Sequence, residues 1–292
     1  MLQNRRVWLW FAPVLLLLGV VYIVPVLDVA RLSFSDATLL RPVTDYGLQS
    51  YRDMLGGDSL GGILKTTGIF TFLNVLGLQL AGLGIALLLI HGEARRLRGM
   101  SVLKIIVLAA WVIPGVANGL IWQLLFSEAP FGAINSTLRL IGLAPVAWLS
   151  NPSNAMISAV IANIWQGTAF SMIVFYAARR AIDPVLYEAA TVDGATPPAQ
   201  FMFITIPQMR GALLVNTVIV TIQTLNTFDT ILALTGGGPG RATEVLSLHI
   251  FNTVFYGYDL GGGSALAVIL LAISMTLTLI YLRILMRRRP PT

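Results

Sequence analysis

Two sets of residues in this 292-residue chain have types and spacings that could do chemistry. The first is neutral: Asn74 and Gln79, Asn118 and Gln123, Asn163 and Gln166, and the run Gln223, Thr224, Asn226 and Thr227. All sit inside long apolar runs, where polar side chains are expensive and therefore face a bundle interior or a pathway. Their chemistry is hydrogen bonding to the hydroxyls of a polar solute, and Trp122 and Trp165 add flat faces for rings. The alternative for each is glue between helices. The second set is the stretch EAATVDGATPPAQFMFITIP, Glu188 to Pro207, which interrupts two apolar segments. It offers one carboxylate, several small residues and a turn-forming glycine, which suits docking against another surface better than bond making.

Other chemistries are disfavoured. The chain has no cysteine, so disulfides and thiolate metal sites are excluded. Its two histidines, His91 and His249, are far apart, which argues against a metal site or histidine catalysis. Gly236 to Gly238 precede Pro239 but lack the Lys-Ser/Thr of a phosphate loop, and read as a turn. No paired carboxylates or nucleophile–base arrangement appear. The expectation is a chain that is not an enzyme and that needs no cofactor or metal.

What must position these residues is set by composition. The chain is 56% hydrophobic and only 11% charged, with a mean hydropathy of +0.80. A soluble domain carries about 25% charged residues, so hydrocarbon is the main solvent here. The net charge of +6 is scattered between apolar runs and forms no patch, which fits membrane topology rather than nucleic acid. Six apolar segments are each long enough to cross a layer of ~30 Å as a helix: about 7–27, 63–90, 102–126, 155–178, 212–235 and 262–285. The prediction is an all-α polytopic membrane protein, a single domain over 1–292. The first segment has a basic flank, but its length, its prolines and the lack of a small-residue cleavage site favour an uncleaved span.

Lys and Arg set the orientation. Arg5, Arg6, Arg95, Arg96, Arg98, Lys104, Arg179, Arg180, Arg210, Arg283, Arg287, Arg288 and Arg289 fall on one side, and only Arg31, Arg41, Arg52, Lys65, Arg139 and Arg241 on the other. Both termini are therefore expected in the cytoplasm, and with them the loop 183–207. Within it, Asp183-Pro184 reads as a helix start and Gly194 as its stop. Thr196-Pro197 opens a second short helix carrying Phe201, Phe203 and Ile204, which Pro207 is expected to end. This elbow either docks a cytoplasmic partner or is an ordinary interfacial hairpin.

The spacing E-A-A, three residues, G, nine residues, I-x-I-P resembles the coupling loop of ABC importer permeases, the membrane subunits of binding-protein-dependent uptake systems. Glu188, Ala189, Ala190, Gly194, Ile204 and Pro207 fall on the motif, with Ile206 where the family usually has leucine. FAPVLLLLGVVYIVPVLDVARLSFSD, YGLQSYRDML, WVIPGVANGLIWQLLF and FDTILALTGGGPGRATEVLSLHIF are similar to segments of the carbohydrate-type permeases, of the maltose/glycerol-phosphate kind. The resemblance implies a six-helix ABC importer permease (MetI-like) fold in a bacterial or archaeal cytoplasmic membrane. It implies a loop that docks on one of two cytoplasmic ATPase subunits, and a solute-binding protein that delivers a sugar or polyol. The GGGP form implies a heterodimer with a second permease. The family's sugar-contacting positions just before that loop favour Gln223, Thr224, Asn226 and Thr227, with Asn118, Asn163 and Gln166 as further pathway candidates. Two rivals remain: an ion-gradient-driven secondary transporter, disfavoured because Asp28, Lys65, Lys104 and Asp229 lie toward span ends, and a membrane scaffold without transport.

Overall fold

Spanning structure in hydrocarbon must satisfy its backbone groups within the segment, and the described residues answer with helices, with isolated bridges but no strand. A computed structural model describes residues 3–57 and 59–287; Arg288 and Arg289, counted above on the cytoplasmic side, lie outside the described residues. The elements are α1 (Gln3–Leu18), a π turn (Gly19–Ile23), α2 (Val24–Leu32), α3 (Gln49–Gly56), α4 (Ser59–Ala94), α5 (Met100–Val112) and α6 (Gly115–Leu125). There follow α7 (Ala133–Leu140), α8 (Pro152–Arg180), α9 (Pro184–Val192), α10 (Pro197–Gln200), a π turn (Phe201–Thr205) and α11 (Ile206–Asn226). The chain closes with α12 (Asp229–Thr235), α13 (Leu246–Phe251), a π turn (Asn252–Tyr256) and α14 (Leu260–Arg287). Among the described residues, five rods are long and apolar enough to cross a membrane: 10–32, 59–94, 152–180, 197–226 and 260–284. The pair α5 and α6, bent by 109°, makes a sixth if counted as one broken span.

The prolines explain where this differs from the sequence expectation. Pro207 does not end a helix. It is the second residue of α11, and the π turn before it carries a bond from the Ile206 N–H to the Phe201 carbonyl, five residues back. A proline ring clashes with the carbonyl four residues earlier, and a widened turn relieves that crowding. Pro25 repeats the device, second in α2 after a π turn closed by the Val24 N–H on the Gly19 carbonyl. The rod that begins at Pro197 therefore runs on to Asn226. Pro114 acts differently. The residue before a proline avoids the helical region, and Ile113 is extended at φ −68°, ψ 127°. The third segment, expected as one helix, is thus two. The fifth, expected to reach residue 235, stops at Asn226. There the Asn226 and Thr227 side chains donate to the Ile222 (2.7 Å) and Gln223 (3.0 Å) carbonyls of their own last turn.

The chain divides into two compact units. In the one formed by residues 1–62 and 249–273, Asp36 receives the Thr44 and Asp45 amides, both at 2.9 Å. These donors, the Asp45 amide foremost, hold its carboxyl far below the ordinary range. Gly261 donates to the Ala37 carbonyl at 2.9 Å. In the other, 63–248 with 274–292, α8 packs against α5 and α11, and α6 against α12. Small residues allow the close approaches: a Cβ on Gly82 would lie 2.4 Å from Ser171 Cβ, and one on Gly119 2.6 Å from the Thr230 carbonyl. Ala86, Leu89, Met172, Phe175, Ile182 and Met209 form a buried cluster, against which Tyr187 and Ile204 pack.

Candidate functional site

The loop 183–207 is closed at each joint by its own chemistry. Asp183 caps α9, its carboxylate accepting the Val185 amide at 3.0 Å. Gly194 takes φ +79° past the end of α9. Its amide donates to the Thr191 carbonyl (3.1 Å), and that of Ala195 to the Ala190 carbonyl (2.8 Å). This bond pair is the glycine-terminated helix stop that orphan carbonyls require. Gln200 Nε2 reaches Thr191 Oγ1 at 2.9 Å, and the Tyr187 and Thr205 hydroxyls meet at 2.8 Å, so the two arms of the elbow are tied twice. The Arg179 guanidinium lies over the Tyr187 ring at 4.1 Å, joining the elbow to the end of α8.

Of the motif residues, Glu188 and Ala189 are exposed on α9, Ala190 is half-buried at the helix stop, and Ile204 packs on the buried cluster. Pro207 is exposed at the start of α11. Beside them Val192 is 89% and Phe203 79% exposed. Uncovered apolar side chains next to a rigid turn and one carboxylate are what a docking face presents.

The amides separate into two groups. Asn118, Asn163 and Thr224 are buried, and Gln166 is half-buried. Asn118 Nδ2 donates to the Ala162 carbonyl (3.2 Å) and to Gln166 Oε1 (3.1 Å). Gln166 Nε2 donates to the Ile113 carbonyl at 2.6 Å, at the break between α5 and α6. Asn163 donates to Asn74 Oδ1 at 2.8 Å. These three amide nitrogens are spent on neighbouring helices, while Asn118 Oδ1 is buried without a partner among the described residues. Gln223 and Asn226, by contrast, are exposed at the end of α11, with Thr227 half-buried beside them. Trp122 and Trp165 pack edge to face at 5.9 Å, which occupies one face of the pair.

Three participants escaped the sequence reading. Asn216 donates to Gln79 Oε1 and Ser171 Oγ, both at 3.0 Å. The rule that selected Asn74, an amide inside an apolar run, selects it equally. Thr230 Oγ1 donates to the Gly115 carbonyl at 3.2 Å across the break in the third segment, a contact without a sequence signal. Tyr187 stands next to the motif's glutamate, and its hydroxyl in an apolar stretch was the available sign.

Residues 80–289 match the family described as binding-protein-dependent transport system inner membrane component. The chain is 35% identical over 278 residues to the trehalose/maltose transport system permease protein MalF of Thermococcus litoralis, covering 95% of this chain and 92% of that one. It is 32% identical over 280 residues to the sulfoquinovosyl glycerol transport system permease protein SmoG of Agrobacterium fabrum, covering 95% and 89%. Its fold is similar to that in the crystal structure of a bacterial ABC transporter involved in import of the acidic polysaccharide alginate. The TM-score is 0.83 at 22% identity, over 99% of this chain and 98% of that one.

Proposed function

This chain belongs to the family of binding-protein-dependent transport system inner membrane components, membrane transport subunits rather than enzymes, and we propose that it forms half of a heterodimeric pore taking up a sugar or related polyol. The second half is a related permease. Two cytoplasmic ATPase subunits supply the energy, and an extracytoplasmic binding protein delivers the solute. The assembly sits in the cytoplasmic membrane of a bacterium or archaeon. The sugar permeases among the relatives support the substrate class.

The observation that carries the mechanism is the elbow at Gly194. Its two arms are cross-tied, its turn is closed by backbone bonds, and Glu188, Val192 and Phe203 stand uncovered on it. Such a rigid knob transmits a push from a moving ATPase surface without deforming. Glu188, Ala189, Ala190 and Gly194 make the contact, while Ile204 and Pro207 join it to α11. At the other end of α11 the neutral donors and acceptors of Gln223, Asn226 and Thr227 suit passing hydroxyls. Asn118, Asn163, Gln166 and Thr224 support that pathway from the helix packing behind it.

The test is uptake of a panel of labelled oligosaccharides and polyols into proteoliposomes holding this chain with its co-encoded permease, ATPase and binding protein. Uptake that requires both ATP and the binding protein is expected. Uptake that persists without the ATPase and follows a proton gradient would contradict the reading.

A further inference from the structure

Just below the elbow, one carboxylate gathers the ends of three helices. Glu93, in the last turn of α4, accepts from Lys104 Nζ of α5 at 3.2 Å through Oε1. Its Oε2 accepts from the Tyr176 hydroxyl at 2.5 Å and from Arg180 Nη2 at 2.9 Å, both on α8. Lys104 Nζ also lies 4.4 Å above the Tyr176 ring. Charge-assisted bonds are stronger than neutral ones, though water weakens the Arg180 arm, whose side chain is 60% exposed. The cluster lies outside the loop motif, and its members reached the sequence analysis only as topology charges or not at all.

Position gives the cluster its meaning. Arg180 is the last residue of α8, and three residues later Asp183 caps α9. Between them Ile182 is anchored in the buried cluster with Leu89 of α4 and Phe175 of α8. Arg179, the neighbour of Arg180, holds the Tyr187 ring of α9. One route for a displacement of α9 is therefore residues 180–183, where Glu93 hands it to α4 and α5 as well as α8; the other runs through the second arm into α11.

We propose that Glu93 is a positioning residue for coupling: with Lys104, Tyr176 and Arg180 it makes α4, α5 and α8 move as one body when the elbow is driven. Without it, only the apolar packing of α4 and α5 on α8 would carry the movement across, and less of it would reach them. ATP would still be turned over, but fewer turnovers would move solute. This rests on the reading of the elbow as the ATPase contact. That reading is tested separately by association, which Glu93 does not touch.

The experiment compares Glu93→Gln, Glu93→Lys and the charge-exchanged pair Glu93→Lys with Lys104→Glu in the full assembly reconstituted in proteoliposomes. ATPase co-purification, ATP turnover and solute uptake are measured together. All three variants should co-purify with the ATPase as the parent does. Uptake per ATP hydrolysed should fall at least three-fold in Glu93→Gln and further in Glu93→Lys, and the exchanged pair should recover at least half of the loss. An unchanged ratio in Glu93→Lys would overturn the proposal. Loss of co-purification that the exchanged pair does not restore would also overturn it, because the cluster would then serve folding alone. The elbow reading has its own arm: Gly194→Asp carried through the same assays, where full association with full stimulated turnover would sink that reading whatever the Glu93 ratios.

Discussion

Gln166 Nε2 donates to the Ile113 carbonyl at 2.6 Å, where Pro114 breaks the third apolar segment. Its Oε1 meanwhile accepts from Asn118 at 3.1 Å. One amide thus serves backbone on one side of the break and side chain on the other. Gln166→Leu would leave the Ile113 carbonyl and the Asn118 amide short of partners in a buried place, at a cost of about 1–3 kcal/mol. The expected result is a melting temperature several degrees lower for the assembled permease in detergent. An unchanged melting temperature would remove the brace.

Asn226 and Thr227 are predicted to behave in the opposite way. Among the described residues their side chains bond only to carbonyls of their own last turn, and Asn226 is exposed with Thr227 half-buried beside it. Asn226→Leu or Thr227→Leu should leave assembly and melting unchanged. Each lost hydrogen bond to solute is worth roughly 0.5–1.5 kcal/mol, so uptake should fall about two- to ten-fold. Unaltered uptake kinetics across the sugars tested would assign both residues to the helix end alone.

The contrast shows what a sequence carries. Apolar length revealed the rods, and Asp183, Pro184 and Gly194 revealed the elbow, because caps and turns are local chemistry. Which amides are consumed by neighbours depends on partners far along the chain, such as Asn163 with Asn74 or Asn216 with Gln79. Nothing local distinguishes them from Gln223. The prolines were ambiguous for a related reason. Pro114 breaks its segment, whereas Pro25 and Pro207 ride on π turns, and the choice lies in the packing around them.

Glu128 gives a pH-dependent prediction. Its carboxylate accepts the amides of Leu149 (3.1 Å) and Ser150 (2.9 Å), closing the segment between α6 and α8. The Ser150 amide first, and against the cost of desolvation, lowers its pKa. A lowered folded pKa gives stability that is present above the unfolded value, about 4.3, and lost as pH falls through the folded one. The protection of the Leu149 and Ser150 amides, their exchange relative to the intrinsic rate at the same pH, should therefore be high at neutral pH and fall in acid. Glu128→Gln should abolish that extra pH dependence. Equal protection at both pH extremes in the parent chain would contradict the tie.

Topology is open to direct reporters. Fusions after Arg98 or Arg180 should report a cytoplasmic location, and insertions near Asn151 or Gly240 an external one, because basic residues concentrate on the former side. Reversal at any of these points would break the six-span arrangement.

The proposed mechanism turns on the elbow at Gly194 seating in an ATPase surface. A Cβ built on Gly194 meets no atom of the chain within 4 Å, and aspartate is among the residues that tolerate a left-handed backbone. Gly194→Asp therefore adds bulk and charge toward a partner with no clash inside the chain, at a backbone strain of about 1–2 kcal/mol for φ +79°, so membrane insertion is measured beside association. Glu188→Lys changes charge alone at an exposed site, and one exposed ion pair is worth at most ~1 kcal/mol, so its effect should be milder. The decisive measurement is pull-down of the ATPase from detergent extracts of the Gly194→Asp assembly, paired with solute-stimulated ATP turnover in proteoliposomes. Normal membrane insertion with loss of association or of stimulated turnover is the predicted result. Full association together with full stimulated turnover would contradict the account at its centre.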